Sequence, residues 1–390
     1  MSEWKEYTLS EIGTIVGGAT PSTKKTENYE GGTIPWITPK DLSDFNGRYI
    51  CEGERSITET GLKSCSTQML PVHTVLFSSR APIGYVAIAE NEVCTNQGFK
   101  SVIPGEKVDY LFLYYLLKFN KEMIENMGSG TTFKEVSGNT MRGVKVRIPV
   151  DIEEQRKIAS ILDSIDSKIE ENTRINKNLE QQMEALYKAW FVEYLPFGGS
   201  KPDSWTETDI YSIANIIYGA PFASKAFNTD GEGKPIIRIR DLKEQVFVTY
   251  TTEIHPKGYL LQPGDLVVGM DGEFRPYIWG NTEAWLNQRV CVFENKRPDG
   301  KAFVLFTLKP LLNLIEQTQV ATTVIHIGKK DFDLFKVTLP DDETLDKFDA
   351  ATSPMIWQIV NNSLENKRLA ELRDALLPKL MSGELDVTNL

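Results

Sequence analysis

The sequence has few of the residues that carry catalysis or bind metals. Three histidines and four cysteines occur among its 390 residues, and neither an HExxH nor a CxxC pair is present, although metal sites need such spacing. A P-loop, a glycine-rich dinucleotide fingerprint and an Asn/Asp-Pro-Pro-aromatic methyltransferase motif are also missing. A PD…(D/E)xK nuclease set can be assembled only from residues 202–203 and 232–234, which are more typical of turns. We therefore predict no catalytic residue and no metal site.

Long apolar runs are missing as well. The densest one, residues 111–117, is far shorter than the ~20 residues that a membrane span requires. The charged start MSEWKEYTLS is unlike a secretory signal, and the widely separated cysteines are typical of reduced thiols. These features predict a cytoplasmic protein that does not contact a membrane.

The chain contains two copies of one pattern. IPWITPKDL, which begins at Ile34, matches KPIIRIRDL, which begins at Lys234, and GVKVRIP, which ends at Pro149, matches LFKVTLP, which ends at Pro340. The separation of matching residues falls by nine across residues 42–76, so the main length difference lies inside the first copy. The same order of elements occurring twice indicates a tandem duplication.

Each copy divides into a strand-rich lobe and a helical segment. The lobes are rich in Val, Ile, Thr and aromatic residues, and TVLFSSRAPIGYVAIAE, which begins at Thr74, is typical of a strand, a turn and a strand. The spacing of apolar residues predicts a helix over 110–127. We predict an α+β fold of four parts, namely a first lobe at 1–150, a helix at 151–195, a second lobe at 196–340 and a helix at 341–390.

The helical segments carry seams of residues spaced three and four apart. The seams run over 162–190 and 352–380, which indicates long helices that pack along their length. Two asparagines one turn apart lie at matching positions in each seam, namely Asn172 and Asn176, and Asn362 and Asn366. Because buried asparagine at a seam fixes alignment at a cost in stability, we predict an antiparallel coiled coil whose register these residues set. Two unrelated amphipathic helices, each packed on its own lobe, are the alternative.

The negative charge of the chain belongs to the helical segments. The net charge is -11; the segments 151–195 and 341–390 carry -4 and -5, whereas each lobe carries -1. Nearly neutral lobes could each present a basic face to phosphates, whereas acidic helices suit protein partners better. A simply solvated helix face is the alternative.

Donor-rich turns between the strands are the candidate contacts with double-stranded DNA. Arg and Lys can pair with guanine edges, Gln with adenine, and Ser or Thr with bases or phosphates. The candidates in the first lobe are Lys24, Lys40, Ser78, Ser79, Arg80, Gln97, Thr131, Thr132 and Lys134. Those in the second lobe are Arg238, Arg240, Arg275, Gln288, Arg289, Thr322, Thr323 and His326. Two such lobes could read two half-sites about one helical turn, ~34–36 Å, apart.

Over essentially its whole length the sequence resembles the specificity (S) subunits of type I restriction-modification enzymes. The resemblance is carried by WKEYTLSEIGTIVGGATPST, IPWITPKDL, SSRAPIGYVAIAENEVCTNQGFKSVIP, IPVDIEEQRKIASILDSID and LLPKLMSGELDV. It implies two target recognition domains, which are the lobes, and a coiled coil that sets the separation of two half-sites. It also implies two methyltransferase (M) subunits that bind S-adenosylmethionine and methylate adenine, and restriction (R) subunits that use ATP and Mg. The chain itself would be non-catalytic and hold no cofactor.

The second copy departs from the family pattern just after its lobe. PVDIEEQRKIA, which begins at Pro149, corresponds to PDDETLDKFDA, which begins at Pro340 and lacks Glu-Gln-Arg. Thr352 and Arg373 also stand where the first seam has apolar residues. We therefore expect the two M-docking surfaces to differ.

Two other functions stay open on the sequence alone. One is an S-like scaffold that assembles proteins without reading DNA sequence. The other is a self-contained methyltransferase or nuclease, which would turn over DNA when supplied with Mg²⁺ and S-adenosylmethionine.

Overall fold

The computed structural model describes residues 3–43, 45–80, 82–130, 134–318 and 326–387. The chain forms two compact units, of which the first comprises Met1–Glu170 and Leu369–Leu390 and the second comprises Glu171–Arg368. Each unit therefore holds one lobe and a section of both long helices. The boundary between the units crosses the helices, whereas the four parts inferred from the sequence placed boundaries between lobes and helices.

The first lobe is built mainly of short strands. Its strands are β1 Trp4–Thr8, β2 Gly13–Gly17, β3 Ile34–Ile37, β4 Tyr49–Ile50, β5 Arg55–Ile57, β6 Val75–Ser79, β7 Ile83–Ala89, β8 Cys94–Thr95, β9 Lys100–Pro104 and β10 Lys145–Pro149. Its helices are α1 Leu9–Ile12, α2 Glu59–Lys63, α3 Tyr110–Phe119, α4 Lys121–Asn126 and α5 Gly138–Gly143. The sheets have the orders β2-β9-β6-β7-β4, β5-β3-β8 and β1-β10.

A long helix, α6 Ile152–Phe191, follows the first lobe and leads to the second. The second lobe has strands β11 Thr206–Asp209, β12 Ala214–Tyr218, β13 Phe227–Asn228, β14 Lys234–Ile237, β15 Tyr250–Thr251, β16 Leu260–Leu261, β17 Leu266–Gly269, β18 Pro276–Ile278, β19 Ala284–Leu286, β20 Val290–Asn295 and β21 Lys336–Leu339. Its helices are α7 Lys301–Thr318 and α8 Lys329–Phe332, and the second long helix is α9 Asp342–Ser382.

The topology of the first lobe recurs in the second. The order β2-β9-β6-β7 returns as β12-β20-β17-β18, and the pair β1-β10 returns as β11-β21. Strands β3 and β8 pair in parallel, as do β14 and β19. The mixed helix and strand content and the tandem repeat confirm the predicted α+β class.

The core of the first unit forms where α3 packs on the sheet. Asp109 caps α3, because its carboxylate accepts the backbone N–H groups of Leu111 and Phe112 at 2.9 and 3.1 Å, which an N-cap side chain does best. The apolar run behind that cap is largely buried. The helix predicted over 110–127 is broken at Asn120, whose side-chain amide donates to the carbonyl of Leu116 at 2.8 Å and so competes with the helical backbone.

The predicted strand, turn and strand at residues 74–90 is confirmed. Strands β6 and β7 pair antiparallel, with Val75 opposite Ile88 and Phe77 opposite Val86. Val75, Phe77 and Ile88 are fully buried, as residues on the inner face of a sheet are.

Aromatic rings dominate the core of the second unit. The ring of Phe191, at the end of α6, lies 5.0 Å from that of Phe303 and 4.9 Å from that of Phe348, both edge to face. Trp205, which follows in the chain, lies 5.7 Å from Phe191. Such offset contacts are the favoured geometry of aromatic pairs, so both long helices are tied into the second lobe.

The C-terminal end of α9 belongs to the first unit. Leu380, Met381 and Val387 are buried in the core of the first lobe. Gly383 ends the helix with φ of 76°, the left-handed conformation that favours glycine at this position, and a Cβ there would lie 2.9 Å from the Trp4 ring. The first strand and the last helix therefore share one core.

Within the described ranges, no helix combines the length and the apolar character needed to cross a membrane.

Candidate DNA-contacting surfaces and helix junctions

Each lobe presents a glutamine and a cation beyond the ends of two parallel strands. In the first lobe, β3 leads into a 3₁₀ turn, Pro39–Leu42, that carries Lys40, and β8 leads to Gln97. The backbone N–H of Asn96 donates to the carbonyl of Ile37 at 3.0 Å, which brings these two chain segments together. Lys40 and Gln97 are exposed.

The second lobe repeats this arrangement. Strand β14 leads into the 3₁₀ turn Ile239–Asp241, which carries Arg240, and β19 leads to Gln288. The N–H of Asn287 donates to the carbonyl of Ile237 at 3.2 Å. Arg240 keeps 67% of its side chain exposed. Equivalent turns of the two lobes therefore expose one cation and one amide, which are the groups that read purine edges.

Neighbouring acids position several of the predicted cations. Glu54 accepts from Lys40 at 2.7 Å, which raises the pKa of that lysine and keeps it charged. Asp241 lies 3.4 Å from Arg238, and Arg238 also donates to Thr249. The guanidinium of Arg275 pairs with Glu316.

A three-residue cluster lies on the second lobe near Gln288. Asp271 contacts Nδ1 of His326 at 2.6 Å and Nε of Arg289 at 3.6 Å, and Arg289 lies 3.1 Å from His326. Arg289 and His326 are exposed. The structure therefore brings together two residues that the sequence offered separately.

The first lobe has a cluster of its own, in which one acid contacts two cations. Glu135 lies 4.0 Å from Arg80 and 3.5 Å from Lys100. Lys24 and Lys134 are exposed. Four of the predicted contacts, Thr131, Thr132, Thr322 and Thr323, lie outside the described residues.

Two of the predicted contacts are corrected by the structure. Ser78 and Ser79 are fully buried. The Ser78 hydroxyl donates to the carbonyl of Pro82 and accepts from the N–H of Tyr85, both at 2.8 Å, and the Ser79 hydroxyl donates to the carbonyl of Gly98 at 3.1 Å. Buried hydroxyls need such partners, so these two stabilise the strand-turn-strand unit and do not face DNA.

The four seam asparagines meet in the second unit. The amide of Asn172 donates to Oδ1 of Asn366 at 2.9 Å, and the amide of Asn362 donates to Oδ1 of Asn176 at 2.8 Å. Increasing residue numbers on α6 thus pair with decreasing numbers on α9, so the two helices run antiparallel. Asn172 and Asn362 are 1% and 4% exposed.

We expect Asn362→Leu to destabilise the second unit more than the double variant Asn176→Leu, Asn362→Leu does. The single change leaves Oδ1 of Asn176 without its donor, at a cost of about 1–2 kcal/mol. The double change removes both polar groups and should recover most of that loss. Hydrogen exchange of peptides covering residues 170–180 measures both free energies, and equal losses in the two variants would contradict the pairing.

The junction between lobe and long helix differs in the two units. In the first, the buried Gln155 accepts from the N–H of Asp109 at 2.9 Å and donates to the carbonyls of Lys107 and Pro149 at 3.0 and 2.8 Å. In the second, Arg297 of the lobe contacts three carboxylates of α9, namely Asp342, Asp346 and Asp349. The Glu-Gln-Arg signature missing from the second copy is therefore replaced by an ionic junction.

The unusual seam residues of α9 also have partners. Thr352 is fully buried and its hydroxyl donates to the carbonyl of Phe348 at 2.8 Å. Arg373 donates to Asp166 of α6 at 2.8 Å. Both polar side chains are therefore accommodated in the seam by hydrogen bonds.

We expect Gln155→Leu to destabilise the first unit by ~2–3 kcal/mol, because three backbone groups lose their partner and one of them is the carbonyl of the buried Pro149. Hydrogen exchange of peptides covering 105–112 and 149–158 measures the loss. Arg156→Ala is the matched control, since its side chain is 59% exposed and surface ion pairs contribute little. Equal protection in the wild type and Gln155→Leu would show that Gln155 does not hold the junction.

Comparison with known proteins identifies the family. The model of the type I restriction modification DNA specificity domain matches residues 1–181 and 202–373. The chain belongs to the family of type I restriction-modification specificity subunits. As a specificity subunit, the protein recognises DNA sequence within a type I restriction-modification system.

Relatives cover the chain from end to end. The type I restriction enzyme MjaIX specificity subunit of Methanocaldococcus jannaschii is 33% identical over 411 residues, which are 100% of this chain and 95% of that protein. The HindI specificity subunit of Haemophilus influenzae is 23% identical over 481 residues, covering 99% of this chain and 100% of that one. The crystal structure of an S subunit from M. genitalium shares the fold, with a TM-score of 0.61, 16% identity, and coverage of 97% and 96%.

The described residues offer no group of three or more His, Cys, Asp or Glu side chains placed to hold a metal ion.

Proposed function

We propose that each lobe of this specificity subunit reads one half of a bipartite DNA site and that the chain itself carries no catalytic residue or cofactor. The observation that carries the proposal is the repetition of one exposed arrangement. A cation and a glutamine follow two parallel strands in each lobe, as Lys40 with Gln97 and as Arg240 with Gln288. Two similar surfaces with different side chains suit two different half-sites.

The chemistry of these groups fits base edges in the major groove. Glutamine can donate to and accept from adenine, and arginine or lysine can donate to the two acceptors of guanine. Lys24, Lys134 and the cluster of Arg289 and His326 would add phosphate contacts, which orient a protein on the duplex without reading its sequence. The near-neutral lobes can approach phosphates, whereas phosphates would repel the acidic helices.

The partners follow from the same proposal. Two M subunits would dock on the long helices, bind S-adenosylmethionine and methylate one adenine in each half-site, and R subunits would add ATP- and Mg-dependent cleavage. The antiparallel helices would set the separation of the half-sites. The complex would act on DNA in the cytoplasm.

The test is selection of bound duplexes from a random library by the chain co-purified with its M subunits. The proposal predicts one split motif whose binding falls steeply with salt, because phosphate contacts release counterions. Equal retention of all sequences by a stable complex would instead favour the scaffold function. Adenine methylation or DNA cleavage by the chain alone would contradict the absence of catalysis.

A further inference from the structure

The described residues of the first lobe contact α6 in two regions. Near the start of the helix, Ile158 and Leu162 are buried in the apolar core of the lobe. Further along, a cleft of about 340 Å³ lies between the lobe and the helices, lined by Tyr85, Lys118 and Glu170 among others. Polar side chains connect the two sides of this cleft. The lobe and α6 therefore meet here through hydrogen bonds and ion pairs and not through a continuous apolar core.

Arg48 makes the main connection. It extends from the lobe, is 6% exposed, and donates from Nε and Nη2 to the two oxygens of Glu170 at 3.0 and 2.9 Å. Nη2 also donates to the hydroxyl of Ser167 at 2.8 Å, and Nη1 donates to Asp163. The three partners lie on one face of α6, since residues three and four apart are neighbours on a helix.

A second connection crosses beside the first. The Tyr115 hydroxyl of α3 donates to Oδ2 of Asp166 at 2.8 Å, and Arg373 of α9 donates to Oδ1 of the same carboxylate at 2.8 Å. Asp166 is 5% exposed. One carboxylate thus joins the lobe and both helices within the first unit.

Among its described residues, the second unit does not repeat the Arg48 connection at the equivalent helix positions. With Asn172 aligned to Asn362, the positions of Asp163, Ser167 and Glu170 become Ser353, Trp357 and Val360. None of these three can pair with a guanidinium as a carboxylate does. The second lobe is joined to α9 at other positions, by Arg297 near the start of the helix and by Lys367 further along, which donates to Asn281 and Thr282 at 2.8 and 3.1 Å.

We infer that Arg48 is a positioning residue that fixes the first lobe on α6 and thereby restricts the half-site separation that the subunit accepts. This inference rests on the proposed function. The apolar contacts of Ile158 and Leu162 are non-directional, so the orientation of the lobe on α6 depends on polar contacts such as those of Gln155 near the start of the helix and of Arg48 further along. A guanidinium bonded to both oxygens of one carboxylate and to a second acid has a defined geometry, so Arg48 fixes the orientation of the lobe at the far end of the contact.

The test uses the complex with M subunits and measures affinity for duplexes with the native spacer and with one base pair added or removed. For Arg48→Gln we expect unchanged base preference in each half-site and a loss of about tenfold in spacer discrimination. Arg55→Gln is the control, since Arg55 lies exposed in the same lobe and should leave discrimination unchanged. The exchanged pair Arg48→Glu, Glu170→Arg should recover part of the loss.

Two results would overturn the inference. One is native spacer discrimination in Arg48→Gln; the other is an equal loss of affinity for all spacers with base preference retained, since Arg48 would then contribute to affinity and not to spacing. Failure of the wild-type complex to select any split site is a different result, because it would overturn the proposed function itself.

Discussion

Replacing Arg297 by alanine is expected to destabilise the second unit by ~2–4 kcal/mol, because removing the partly exposed arginine leaves the buried carboxylate of Asp349 without a compensating charge. Arg297 contacts Asp349 at 2.9 Å, and the side chain of Asp349 is 6% exposed. The other oxygen of Asp349 has no hydrogen-bond partner among the described residues. Hydrogen exchange of the first turns of α9 measures the loss. Lys296→Ala, at an exposed neighbouring cation, is the control and should change little.

The loss of folding free energy caused by Arg297→Ala should become smaller as the pH falls. Burial raises the pKa of Asp349, while Arg297 opposes that rise, so losing the arginine raises the pKa further. A carboxyl group whose pKa is higher in the folded state binds protons more tightly there, and lowering the pH through that pKa therefore stabilises the fold. If the stability loss stayed constant from neutral pH down to the pKa of aspartate in the unfolded chain, ~4, an unpaired Asp349 would not be its cause.

The second large effect concerns DNA recognition. We expect Arg240→Ala combined with Gln288→Ala to weaken binding to the native site by roughly thirtyfold or more, since each of the two base contacts contributes about 1–3 kcal/mol of discrimination and about 1.4 kcal/mol corresponds to a factor of ten. Base preference should relax in one half-site only. Lys40→Ala with Gln97→Ala should relax the other half. Selection from half-site libraries by the variant complexes measures both effects.

The helix supplies the control for this pair of variants. Arg174 is an exposed arginine on α6, so Arg174→Ala removes a positive charge outside the lobes and should leave base preference unchanged. Relaxation of both half-sites by either lobe variant would contradict the assignment of one half-site to each lobe.

The repeated sequence predicted the architecture because the patterns that reveal a duplication are local. The matches around residues 34–42 and 234–242 mark equivalent strands and 3₁₀ turns in both lobes. Seam spacing predicted the long helices, since burial along one face forces a regular apolar period. Lobe topology was not predictable strand by strand, because strands as short as Tyr49–Ile50 leave little pattern in the sequence.

Individual side chains were harder to place than elements. Ser78 and Ser79 lie beside Arg80 in a sequence that is typical of an exposed turn, yet they are buried in β6. Residue type does not show whether a hydroxyl faces solvent or a neighbouring carbonyl. Their burial follows from pairing with β7 and contact with Gly98, which are set by the tertiary fold.

The acidic partners of two arginines were also not predicted from the sequence. Asp166 and Asp271 are far in sequence from Arg373 and Arg289, so no local spacing links them. The sequence showed only that Arg373 occupies a seam position that is apolar in the first copy. Its partner became evident when the antiparallel packing of the helices placed Asp166 opposite it.

Mapping methylated adenines in cells that express this chain with the M subunit of its system tests the central claim most directly. Recognition of one half-site by each lobe predicts a single split motif with one methylated adenine in each half. A contiguous motif, or no methylation despite a stable complex of the chain with M, would contradict it.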